Sequence, residues 1–184
     1  MRVIVGITGA SGAIYGIRLL QEMKKYEVET HLVISKWAEK TISIETSYTV
    51  EQVAALGSVY YSENNLGAAI SSGSFPSQGM VIVPCSMKTI AAVSHGYSDN
   101  LINRAADVTI KERRKLILVP RETPLSPIHL KNMLDIANLG AVVMPPMPAF
   151  YTMPQNLDDI INQTVGRILD QLDISNSLVN RWSN

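Results

Sequence analysis

At five places in this 184-residue chain, glycine, hydroxyl, cationic or aromatic side chains come directly after a short apolar run. The first is Thr8-Gly9-Ala10-Ser11-Gly12-Ala13-Ile14-Tyr15-Gly16 and the second is Ser35-Lys36-Trp37. Pro84-Cys85-Ser86-Met87-Lys88-Thr89, Pro120-Arg121-Glu122-Thr123 and the stretch from Pro145 to Tyr151 follow. The start of a helix offers unpaired backbone N–H groups and a positive dipole end, so turns of this kind suit a phosphate. The first turn is neither GxGxxG nor a Walker A loop, and no Gly-Lys-Ser/Thr occurs. A dinucleotide site also wants an acidic residue behind the second run, where Ser35-Lys36 stands. A mononucleotide gripped by Ser11, Ser35 and Ser86 to Thr89 fits better. The bland alternative, tight strand-to-helix turns that bind nothing, stays open on local pattern.

Groups able to act as acid, base or nucleophile are few. Cys85 is a possible nucleophile, but a small buried residue at a strand end is the simpler reading. His31, His95 and His129 fall at unrelated spacings, which argues against a metal. Lys111-Glu112-Arg113-Arg114 reads as a solvated helix end. Arg121 closes an otherwise apolar strand, so it needs a partner, either Glu122 or a ligand phosphate. Glu45, between Ile44 and Thr46 on an amphipathic segment, reads alone as a surface residue.

The elements that must hold these residues alternate in type. Short β-branched runs at 3–7, 30–34, 80–83, 116–119 and 141–144 suit strands buried on both faces of a parallel sheet, with a further edge strand near 59–61. Helical periodicity covers 12–25, 36–46, 49–56, 86–94, 99–114, 126–139 and 156–172. Thr49 to Gln52 has capping-box spacing, and Ser126-Pro127 with Gly140 brackets another helix. This alternation predicts an α/β three-layer sandwich with right-handed crossovers, one domain over 1–184. The irregular stretches 57–79 and 145–155 are expected to be site or interface loops.

Sixteen basic and sixteen acidic residues give no net charge, which disfavours binding nucleic acid through a basic field. Charged residues make up 17% of the chain, so part of the surface is expected to be subunit interface. One cysteine excludes an intrachain disulfide, and the N-terminal apolar run is too short for a signal peptide or a membrane span. A cytoplasmic protein is expected.

Read together, several motifs resemble the UbiX-like flavin prenyltransferases, long described as phenylacrylic or 3-octaprenyl-4-hydroxybenzoate decarboxylases. They are Gly9-Ala10-Ser11-Gly12 with Tyr15-Gly16, the stretch 84–89, Asn100 to Val108, Lys111 to Arg114, Pro120 to Leu125, and Pro148-Ala149-Phe150-Tyr151. The resemblance runs from Val3 to about Leu172. It implies a Rossmann-like α/β/α sandwich of the flavin-containing cysteine-decarboxylase type, with parallel strand order 3-2-1-4-5-6, assembled as a dodecamer. It also implies that reduced FMN receives a prenyl group from dimethylallyl phosphate at N5 and C6. The prenyl-FMN would then serve a separate UbiD-like decarboxylase.

Carried over by position, Gly9, Ala10, Ser11, Ser35, Ser86, Met87, Lys88, Thr89 and Arg121 would bind FMN. Tyr151, Arg167 and Arg104 would hold the prenyl phosphate. Glu45 would transfer protons, and Ser11, Glu122 and Lys111 would complete the catalytic set. The residues agree chemically, because two phosphate esters in one crevice need local cations. Clustered cations could also replace the metal other prenyltransferases use on the leaving group. An allyl cation needs a π-rich surround that excludes water, which the flavin, Tyr151 and Trp182 could supply.

Three rivals remain. One is an FMN-dependent aromatic acid decarboxylase, and another is a flavin carrier without turnover. The third, a peptidyl-cysteine decarboxylase, is opposed by the absence of histidine between His31 and His95.

Overall fold

The computed structural model describes residues 1–182. Six strands form one parallel sheet: β1 (Arg2–Ile7), β2 (Glu29–Ile34), β3 (Val59–Ser62), β4 (Gly79–Cys85), β5 (Lys115–Pro120) and β6 (Val142–Val143). Their order is β3-β2-β1-β4-β5-β6, as expected. Among the described residues six α-helices lie between the strands and a seventh follows the last one: α1 (Ala13–Lys25), α2 (Lys36–Glu45), α3 (Val50–Ala54), α4 (Met87–Ser94), α5 (Leu101–Lys111), α6 (Pro127–Asn138) and α7 (Leu157–Gln171).

The sheet has two apolar faces because its strands alternate between two cores. Val3, Val5 and Ile7 pack with α1, α2, α3 and α7, whereas Ile4, Met80 and Ile82 pack with α4, α5 and α6. This is the three-layer arrangement, and it explains why the strand sequences are apolar at nearly every position. Strand order reverses direction between β1 and β4, which opens a crevice at their carboxyl ends. Gly16 lets α1 lie close to the sheet there, since a Cβ would come 2.5 Å from the Val83 carbonyl oxygen.

The expected caps form. Thr49 and Gln52 make a reciprocal box, and Ser126 makes one with His129. Several boundaries shift by one to three residues, and two of the shifts have a clear cause. β6 is only two residues long, because the prolines at 145 and 146 cannot extend the ladder. α5 stops at Lys111, and Arg113 takes a left-handed φ of 54°. Arg114 then donates to the carbonyls of Phe75 and Gly73, both at 2.7 Å, so it pins the loop that leads into β4 instead of ending a solvated helix.

Candidate functional site

Three helix starts converge at the crevice, each closed by its own side chain. Ser35 accepts from the Ala38 N–H at 3.2 Å, Ser86 from Thr89 at 3.3 Å and Asn100 from Asn103 at 3.0 Å. Thr8 joins the first and third turns by donating to the Pro84 carbonyl at 2.9 Å and accepting from the Ser86 N–H at 2.8 Å. The resulting cavity of about 430 Å³ is lined by Thr8, Gly9, Ser35, Lys36, Trp37, Glu63, Ser86, Lys88, Thr89, Asn100, Ile102 and Asn103. The remaining N–H groups of these helix ends and the Lys88 ammonium give it an anion-binding character.

Two side chains here stand outside the site residues expected from the sequence, although Asn103 lies in one of the motifs that carry the resemblance. The Glu63 carboxylate accepts from the Lys36 N–H at 2.9 Å, although it sits in a Ser- and Asn-rich loop. Asn103 is 3% exposed; its amide donates to Asp99, but its Oδ1 has no partner among the described residues. A buried acceptor without a donor is costly, so a donor from a ligand would complete it.

A second cavity, of about 510 Å³, lies beside the first turn. Ser11, Gly12, Tyr15, Glu45, Arg121 and Pro146 are among its walls. Gly12 has a φ of 107° and offers α1 no side-chain cap. Glu45, the last residue of α2, supplies one: its Oε2 accepts from the N–H of Gly12 at 2.8 Å and of Ala13 at 3.2 Å. The residue is exposed, as its sequence suggests, yet it faces the cavity and the positive end of α1.

Arg121 corrects an expectation. β5 ends one residue earlier, at Pro120, and Arg121 is exposed, so it has no burial penalty for Glu122 to relieve. Glu122 instead accepts from the N–H of Thr123, and no ion pair of Arg121 is found among the described residues. Ala10 is buried, and Met87 packs against the α4–α5 core; neither lines the main cavity. Cys85 is fully buried and burial pushes its thiol pKa well up, in keeping with a structural residue. His31 is bonded to Tyr61 and Glu29, and His129 serves its cap.

The remaining predicted residues fall elsewhere in the protomer. Lys111 pairs with Glu112 at the far end of α5, beside the start of β5. Arg104 bridges Asp107 at 2.7 Å and the Ser71 carbonyl at 3.2 Å. Tyr151 reaches α7, the helix that carries Arg167. The Tyr151 hydroxyl accepts from Gln163 at 3.2 Å, and Arg167 lies one turn further along, paired with Asp170 at 2.8 Å. Trp182 packs edge-on against Tyr151, with ring centres 5.3 Å apart.

This geometry has counterparts among known proteins. The flavoprotein family matches residues 1–182. A probable UbiX-like flavin prenyltransferase of Streptomyces sp. (strain D7) is 55% identical, over 100% of this chain and 92% of that protein. The chain belongs to the UbiX-like flavin prenyltransferase family. Two solved structures of UbiX-like proteins superpose on it with a TM-score of 0.98 and 51% identity. One is AnUbiX (PadA1) in complex with FMN and dimethylallyl pyrophosphate, matched over 100% of this chain and 97% of that one. The other is a dodecameric FMN-dependent UbiX-like decarboxylase from Escherichia coli O157:H7, matched over all of both chains. Among the described residues of this UbiX-like chain, no helix is long and apolar enough to cross a membrane.

Proposed function

We propose that the protein is a flavin prenyltransferase, which joins the dimethylallyl group of dimethylallyl phosphate to N5 and C6 of reduced FMN. The observation that carries this reading is the full-length match to a UbiX-like structure in complex with FMN and a dimethylallyl ester. The residues present fit FMN: three helix starts and Lys88 suit its phosphate, and the orphaned Asn103 acceptor suits one of its donors. Gly9, Ser35, Ser86, Lys88 and Thr89 would hold it, with Ala10 and Met87 bracing those turns and Ser11 and Arg121 at the adjoining cavity. Reduced FMN supplies the nucleophilic N5 and C6 positions.

The chain's own groups then have two tasks. As the C–O bond of dimethylallyl phosphate breaks, negative charge gathers on the departing phosphate. Arg167, Tyr151, Arg104 and Lys111 would stabilise it, the part a metal plays elsewhere. Glu45 would accept and pass on the proton released on ring closure, with Ser11 and Glu122 near the same path. The two N–H groups at the α1 terminus hold its Oε2 in place beside the first turn, where the reacting proton would be passed.

Ser11, Glu45 and Arg121 share one cavity, but Arg104, Lys111 and Arg167 line neither that cavity nor the main one. Lys111 is about 15 Å along α5 from the cavity end, at 1.5 Å per residue. The site we propose is therefore completed by neighbouring copies in a dodecamer, as the low charged content suggests. The exposed Ile128, Leu134, Met147 and Phe150 provide apolar surface for such contacts. We further propose that prenyl-FMN passes to a UbiD-like aromatic acid decarboxylase in the cytoplasm.

The test is anaerobic incubation with reduced FMN and either dimethylallyl phosphate or its pyrophosphate, followed by mass analysis of the extracted flavin. Gain of one five-carbon prenyl unit is expected. Unmodified flavin would leave the carrier reading, and release of carbon dioxide from a cinnamic acid by the protein alone would favour the decarboxylase reading.

A further inference from the structure

One carboxylate near the end of α7 holds two guanidinium groups. Asp170 Oδ2 accepts from Arg167 Nη1 at 2.8 Å and from Arg181 Nη1 at 3.1 Å. Its Oδ1 accepts from Arg181 Nη2 at 2.9 Å and from the Asn176 amide at 3.0 Å. Arg167 thus makes one bond to this carboxylate, and Asp170 keeps three donors if that bond is given up. The Asp170 side chain is only 15% exposed, so a partner must remain to balance its charge. Arg181 is suited to that, because its fork engages both oxygens.

Arg181 is part of a tail that returns along α7. The Asn180 N–H donates to Gln163 Oε1 at 3.2 Å, and the same Gln163 donates to the Tyr151 hydroxyl. Gln163, Arg167 and Asp170 have i, i+4, i+7 spacing, so they form one stripe along the helix. The tail covers this stripe closely, since a Cβ on Gly166 would come 2.5 Å from Val179.

We infer that Asp170 and Arg181 are positioning residues for the prenyl-phosphate site: Asp170 presents Arg167, and Arg181 holds Asp170 so that Arg167 can exchange the carboxylate for the phosphate. This rests on the proposed function, in which Arg167 binds dimethylallyl phosphate. Without Arg181, Asp170 has one cationic partner left, and that partner is Arg167. An incoming phosphate must then break the pair and sit near an uncompensated anion, so it binds more weakly.

The test is a double-mutant cycle read by the KM for dimethylallyl phosphate and by its calorimetric binding to the assembled protein. Arg181→Gln is expected to raise both KM and dissociation constant about tenfold, with kcat and FMN affinity near wild type. Arg181→Lys, which keeps the charge without the fork, should fall between the two. In the double variant Asp170→Asn/Arg181→Gln the competing carboxylate is gone, and affinity should return to within about twofold of wild type. An unchanged KM in Arg181→Gln overturns the inference. So does a double variant as weak as the single one, which is what a tail that merely holds the fold would give. If the wild-type protein binds the ester yet forms no prenylated flavin, the functional reading fails and the calorimetric cycle still decides the exchange.

Discussion

The Glu45 carboxylate spans two elements, for it ends α2 and caps α1. Its two roles can be separated by substitution. Glu45→Gln keeps an oxygen that can accept from the Gly12 N–H but cannot relay a proton as a carboxylate does. Product formation should fall by about 100- to 10,000-fold with FMN still bound. Glu45→Ala should in addition lower stability in a denaturant titration by about 1 kcal/mol, the usual worth of a lost N-terminal cap. Normal yield of prenyl-FMN from Glu45→Gln would remove the residue from the reaction. Arg121 is expected to differ, since its exposed guanidinium has room to bind a ligand and little to do for the fold. Arg121→Ala should fold normally and purify with little flavin; a variant with full flavin content in its absorbance spectrum would contradict this.

Elements meet tightly where the chain passes from β2 into α2. A Cβ on Gly9 would collide with Trp37 Cβ, so the first turn and the start of α2 can approach only with glycine at this position. Trp37 lines the main cavity, and Lys40 sits 4.6 Å above its ring. Gly9→Ala should cost about 1–3 kcal/mol through overpacking and weaken FMN binding, as measured by flavin fluorescence titration. At the other end of the chain, the tail depends on charge. Its hydrogen bonds to Arg181, and the other partners around it, hold the Asp170 carboxyl below the usual aspartate range. Stability from a lowered carboxylate is present above its unfolded value and lost as pH falls through its folded one. The tail should therefore stay docked down to about pH 4 and loosen below it. Asp170→Asn should abolish that acid step. Trp182 emission in a Trp37→Phe background would follow it, and an identical acid transition in Asp170→Asn would contradict the assignment.

For the whole molecule, the decisive fact is that the candidate cations do not gather within one protomer. Lys111 ends α5 beside the start of the sheet, whereas Arg121 opens the loop at its carboxyl edge. If neighbouring copies complete each site, two defective variants can repair one another. Lys111→Ala and Arg121→Ala should each be inactive alone. Subunits mixed, dissociated and reassembled should recover part of the activity, because some sites then draw both residues from intact surfaces. Light scattering at micromolar concentration should report a large assembly for every sample. A monomeric mass, or mixtures that stay inactive, would place the whole site within one chain.

Much of this protein could be read from the sequence, for physical reasons. The strands were legible because burial on both faces demands continuous apolar runs, as in Val81-Ile82-Val83. The helix starts were legible because Ser35, Thr49, Ser86 and Ser126 cap by local hydrogen bonds that span only three residues. The phosphate-suited turns were legible as glycine and hydroxyl residues directly behind the apolar strands, and the motif order pointed to the family. What tertiary structure decided was every relation across the chain. Glu45 reaches Gly12 from 33 residues away, Glu63 reaches Lys36 from 27, and Arg114 reaches Gly73 from 41. The orphaned Asn103 oxygen and the shared Asp170 carboxylate likewise exist only once helices are docked. Local sequence encodes caps and burial periods because their energies arise within a few residues. A site built from the ends of separate elements has no such local signature, since its contacts form only when the sheet sets those ends side by side.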